Sequence, residues 1–83
     1  MRLHELNPGD VATVSDLLAS GSMRRRLLDI GLVKHTVVTC IGKAPLGDPA
    51  AYCIRGAVIA LRAQDAATVA VQRQQGGADN GAD

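Results

Sequence analysis

Aromatic residues are almost missing from this 83-residue chain, which has no tryptophan, no phenylalanine and a single tyrosine, Tyr52. Recognition of polyproline helices needs an aromatic-lined groove, and binding of single-stranded nucleic acid needs several stacking rings along a positive channel. One tyrosine supplies neither. Net charge is also small, at a formal +1, so any electrostatic preference for a partner must be local and no nucleic acid is signalled. No apolar run approaches the roughly 20 residues of a membrane span, and the amino terminus lacks the apolar stretch of a signal peptide. The expectation is a cytoplasmic protein without direct membrane insertion. Its two cysteines, Cys40 and Cys53, should then stay reduced, and two thiols do not make a disulfide framework.

Catalytic signatures are missing as well. The chain has no phosphate-binding glycine loop ending in Lys-Ser/Thr, no Gly-x-Ser-x-Gly elbow, and no pair of carboxylates placed by strands around a pocket. It reads as non-catalytic and not as a nucleotide hydrolase. A chain of this length builds one modest core, here from Val, Leu, Ile and Ala.

What is present centres on Ser22 to Leu32. Ser22 is placed to cap a helix, Met23, Leu27 and Ile30 recur at helical spacing, and Gly31 followed by Leu32 reads as a left-handed stop. Two turns of helix cannot hold themselves together in water, so the apolar trio must dock on the rest of the chain. Arg25 and Asp29 then point away from the core, with Arg24 and Arg26 on the flanks.

Around this helix the chain reads as β-structure. Leu3 and Leu6 form an apolar clasp, Asn7-Pro8-Gly9-Asp10 is a tight turn, and Val11 to Val14 is a strand interrupted at Ser15-Asp16. Thr36 to Ile41 is the clearest strand. Ala44 to Pro49, with two prolines, is a loop, and Ala51 to Ile54 and Ala57 to Leu61 form a hairpin across Arg55-Gly56. Ala63 to Ala67 is one helical turn before a last strand, Thr68 to Gln72. The reading is mainly β: a small, partly open SH3-like barrel of about five strands with one short inserted helix, since closure hides strand edges. Residues 1–72 make the domain, and the RQQGGADNGAD run of residues 73–83 is expected to be a disordered tail.

Three motifs, RRRLLDIGL (Arg24 to Leu32), APLGDP (Ala44 to Pro49) and GAVIALR (Gly56 to Arg62), in this order and spacing, resemble the FeoA family, small cytosolic proteins of bacterial ferrous iron uptake. The resemblance covers about Leu3 to Val71. It implies an SH3-like barrel with an inserted helix, no catalysis, and a role in supporting the ferrous iron transporter FeoB, whose cytosolic part is a GTPase; such a protein would be recruited to the inner face of the cytoplasmic membrane. The same barrel is similar to the carboxy-terminal domain of iron-dependent repressors, so the alternative is a transition-metal-responsive regulatory domain. Where the family usually has Pro-Gly, this chain has Lys34-His35.

Each candidate residue has two readings. Arg24, Arg25 and Arg26 are either a solvated helix face, with Arg25 and Asp29 as a weak one-turn pair, or a basic docking surface for carboxylates on a partner. In the loop, Pro45, Pro49 and Asp48 either stiffen a turn or hold Leu46 at a rigid tip as an anchor near the arginine face. Residues equidistant from the midpoint between Leu46 and Gly47 should face each other, which sets Cys40 opposite Cys53. With His35 these are weak candidates for a transition metal ion, because a soft-metal site takes three or four clustered ligands and free cysteine usually packs as a small hydrophobe. A homo-oligomer stays open.

Overall fold

The computed structural model describes residues 1–74. The expected disordered tail therefore lies, from residue 75 on, outside the described residues. Arg73 does not belong to a tail: it is the last residue of a strand, and its guanidinium pairs with Asp10 at 3.1 Å.

Five strands form one antiparallel sheet: β1 (Val11–Leu17), β2 (Val37–Lys43), β3 (Ala50–Ile54), β4 (Ala57–Leu61) and β5 (Val69–Arg73). Their order is β4-β3-β2-β1-β5, a curled sheet that does not close. A 3₁₀ turn at Leu3–Glu5 buries Leu3 and Leu6 completely, as the apolar clasp requires. Helix α1 (Gly21–Asp29) follows β1, and a single turn, α2 (Ala63–Ala66), joins β4 to β5. No helix among the described residues is long and apolar enough to cross a membrane.

One face of the sheet supplies the core. Ala12, Val14 and Leu17 of β1, Val38 and Cys40 of β2, Ala50, Tyr52 and Ile54 of β3, Leu61, Val69 and Val71 are all buried on it, together with Leu27 and Leu32. The alternation of period two is broken twice. In β1 the register shifts between Val14 and Asp16, so the strand runs through Ser15-Asp16 to Leu17 where an interruption was expected. A bulge lets the polar pair turn outward while Leu17 returns to the core.

The second break lies in β2, between Cys40 and Gly42. Lys43 pairs with Ala50 and Gly42 with Ala51, as symmetry about the loop demands, but Ile41 is an extra residue and beyond it the register slips by one. Cys40 therefore pairs with Tyr52, and Cys53 with Thr39. The expected Cys40 and Cys53 pair is not formed. A one-residue slip sends them to opposite faces of the sheet, Cys40 into the core and Cys53 outward.

Candidate partner-docking surfaces

Helix α1 begins two residues earlier than a cap at Ser22 would set it. Ser20 occupies the cap position without a side-chain hydrogen bond, and Gly21 enters the helix at φ 60. The inner face is as the spacing requires: Leu27 is fully buried, and Met23 and Ile30 pack against the core at their half-buried positions. The stop at Gly31 has φ 102, and the Leu32 N–H donates to Leu27 O at 3.0 Å.

The outer face of α1 carries Arg24, Arg25 and Arg26, all exposed. Arg24 Nη1 donates to Leu17 O at 3.3 Å, which anchors it over the end of β1. Among the described residues, neither the Arg25 nor the Arg26 side chain makes a hydrogen bond or ion pair, and the one-turn pair of Arg25 with Asp29 is not formed. Two guanidinium groups on consecutive residues thus stand in water, on a helix whose backbone is fixed by its buried side.

Topology gathers further positive charge at this end. The Val14 N–H donates to Thr36 O and the His35 N–H donates to Val14 O, each at 2.8 Å, so the turn carrying Lys34 and His35, which follows α1 in the chain, is fastened beside β1. The Arg55-Gly56 turn between β3 and β4 reaches the same place. Its Arg55 stem crosses Gly31 so closely that a Cβ on Gly31 would sit 2.9 Å from Arg55 Cδ. A cation there also suits the negative end of the α1 dipole. Arg24, Arg25, Arg26, Lys34 and Arg55 are all exposed on α1 and on these two turns, where Asp16 and Asp29 are the nearby carboxylates in the chain. Lys34 and Arg55 were not singled out in the sequence, although an antiparallel reading of the strands puts both turns at the helix end.

Leu46 is elsewhere. The β2–β3 loop sits at the opposite end of the sheet, separated from α1 by the seven residues of β2, roughly 20 Å of strand. The expected nearness of Leu46 to the arginine face is therefore corrected: strands leave and return at opposite ends, and the helix and this loop lie at different ones. Leu46 itself is 97% exposed at the tip, on a turn closed by Gly47 N–H donating to Ala44 O at 2.7 Å. Asp48 has an internal partner, since its Oδ1 accepts the Ala63 N–H at 2.9 Å and caps α2.

The weak metal candidates do not converge. Cys40 is buried against Tyr52, Cys53 is on the outer face, and His35 is in the turn before β2 at φ 76. Burial pushes the Cys40 thiol up, away from the thiolate a metal needs, and Lys43 only partly offsets it. Burial also pushes Tyr52 up to about 12, with Cys40 and Asp48 adding to the effect. Among the described residues no three His, Cys, Asp or Glu side chains come together, and the donor set does not fit a transition metal ion.

Comparison with known proteins gives a consistent picture. Residues 1–73 match the family model described as FeoA domain. A relative from Porphyromonas gingivalis, described as an Fe(2+) transport protein A/Fe(2+) transporter FeoB fusion protein, is 39% identical over 72 residues, which are 87% of this chain and 8% of that protein. The chain thus spans a small part of that relative's length. The FeoA protein of Chlorobium tepidum superposes with a TM-score of 0.79 at 38% identity, covering 86% of this chain and 68% of that one. Stenotrophomonas maltophilia FeoA, described as complexed with zinc and as a prokaryotic SH3 domain protein, gives a TM-score of 0.78 at 32% identity over 87% of this chain and 89% of that one. A manganese-dependent transcriptional repressor shares the fold alone, at 20% identity and a TM-score of 0.76, with 88% of this chain and 40% of the repressor covered.

Proposed function

The chain belongs to the FeoA domain family, and we propose that it is a non-catalytic, cytoplasmic accessory module of ferrous iron uptake that docks on the cytosolic part of a FeoB-like GTPase transporter and modulates it. The observation that carries this reading is the pair Arg25 and Arg26, exposed, without internal partners, and presented by a helix that the core holds rigid through Leu27. The helix backbone fixes where the two side chains start, the planar guanidinium fork is pre-organised for carboxylates, and a positive patch meeting an acidic one speeds encounter and fixes register.

The fused relative supports the choice of partner. Joining two chains that work together raises the effective concentration of one for the other to the millimolar range, so a module that binds weakly as a separate chain gains most from fusion. Leu46 and Asp48 enter as a second contact only if the partner spans the sheet; Asp48, committed to capping α2, serves the shape of the loop. The metal-responsive alternative is not favoured, because the repressor likeness is one of fold and the candidate thiols face opposite sides of the sheet. Reversing Arg24, Arg25 and Arg26 together to glutamate should weaken association with the transporter's cytosolic part in a low-salt pull-down, while circular dichroism shows an intact sheet. Retained association by the folded variant would sink the docking role of α1.

A further inference from the structure

The two edges of the sheet are finished differently. At β5 the edge is covered: Arg2 bridges Ala70, and the Val71 N–H donates to Met1 O at 2.8 Å. At β4 it is bare. The two-residue turn at Arg55 and Gly56, with φ 52 and 86, is of the tight hairpin kind and makes Ile54 and Ala57 a hydrogen-bonded pair. Alternation along the ladder then gives Tyr52 with Ile59 and Ala50 with Leu61 as the next bonded pairs. Val58 and Ala60 are left with their N–H and C=O groups directed away from β3, and among the described residues neither contributes to any backbone bond outside the ladder.

Nothing in the strand protects this edge. AVIAL carries no lysine, proline or bulge, the usual devices against edge pairing, and Val58 is 67% exposed. The strand is flanked by two exposed arginines, Arg55 and Arg62, and neither makes an ion pair among the described residues. These flanks decide between occupants. In an antiparallel pairing of β4 with a second copy that satisfies Val58 and Ala60, Arg62 of each copy falls opposite Gly56 of the other and beside its Arg55. Four like charges would then crowd the ends of a short ribbon, which opposes self-pairing. A strand with carboxylates at its ends reverses the sign at both places.

We propose that the β4 edge is a strand-addition site for an extended apolar segment of a partner protein that carries Asp or Glu at both ends. Four backbone groups supply the main-chain bonds, Val58 and Cys53 offer an apolar outer face to β-branched side chains, and Arg55 and Arg62 clamp the ends. The site shares Arg55 with the positive surface at the α1 end, whereas Val58, Ala60 and Arg62 belong to the β4 edge alone.

The test uses the full chain and two synthetic peptides of alternating valine and threonine, one with glutamate at each end and one with lysine. Amide NMR should show the Val58 and Ala60 signals shifting and gaining exchange protection with the glutamate-ended peptide, at an affinity at least tenfold above the lysine-ended one. Val58→Pro removes a donor that β3 does not use and should abolish the effect. A variant that leaves the ladder untouched, Arg55→Glu with Arg62→Glu, should invert the preference. Equal response to both peptides, no response to either, or protection of the same amides in the free protein that grows with its concentration would each overturn the proposal, the last in favour of a second copy.

Discussion

Gly31→Ala is the substitution that most sharply tests how α1 is held in place. Gly31 has φ 102, well beyond the small left-handed region open to other residues, so an alanine there carries backbone strain of about 1–2 kcal/mol. Its Cβ would also lie 2.9 Å from Arg55 Cδ and 3.3 Å from Ile54 Cγ2. The arginine stem is flexible and can move for a few tenths of a kcal/mol, whereas Ile54 is buried in the core and cannot. Together the expected loss is about 2 kcal/mol, a large fraction of the roughly 5 kcal/mol that a domain of this size can hold. Thermal unfolding followed by circular dichroism should show Tm falling by about 8–16 °C. Adding Arg55→Ala separates the two causes, because it removes the 2.9 Å contact and leaves φ unchanged; only a minor part of the loss should return. A loss below about 0.5 kcal/mol, or full recovery in the double variant, would refute the reasoning that backbone conformation fixes glycine here.

Other outcomes are expected on the same grounds. Leu27→Ala, at a fully buried position, should cost about 2–5 kcal/mol in urea unfolding and free α1 from the sheet. Asp48→Ala removes the acceptor of the Ala63 N–H; it should cost about 0.5–1 kcal/mol by the same assay and leave association with the transporter unchanged. His35→Gly, at a non-glycine residue with φ 76, should leave stability unchanged or raise it by up to about 1 kcal/mol, read from the urea midpoint. Tyr52 is the only tyrosine, so absorbance at alkaline pH reports on it alone, with a midpoint near its raised value of about 12. Because the unfolded chain releases this proton near the ordinary value of about 10, stability should be full below that pH and fall by roughly 2–3 kcal/mol as pH rises from about 10 to 12. A denaturant midpoint independent of pH across that window would contradict the burial of the hydroxyl.

The elements of this fold were largely legible because each carried its own local chemistry. Met23, Leu27 and Ile30 spelled out the inner face of α1, Gly31 its end, and Arg55-Gly56 the tight hairpin. What local chemistry could not reveal were the two bulges. Nothing in Ser15 or Ile41 announces an extra residue, yet each shifts a register and so decides which face a side chain meets. The cysteine pair failed for that reason: symmetry about the loop holds through Gly42 and ends at Ile41. The position of Leu46 failed for another. Its exposure follows from the loop itself, but its separation from the arginines depends on which end of the sheet each connection occupies. Asp48 was legible as a turn residue, and its use as the cap of α2 required the fold.

The two ends of β2 present different surfaces, so a footprint distinguishes them. Amide chemical-shift mapping of the full chain on addition of the cytosolic part of a FeoB-like transporter, at low and then at raised ionic strength, tests the central claim most directly. The result expected is perturbation over Gly21–Asp29 and the Lys34 to Thr36 turn, fading as salt screens the arginines. Perturbation confined to Ala44 to Asp48, or none anywhere, would contradict docking through α1.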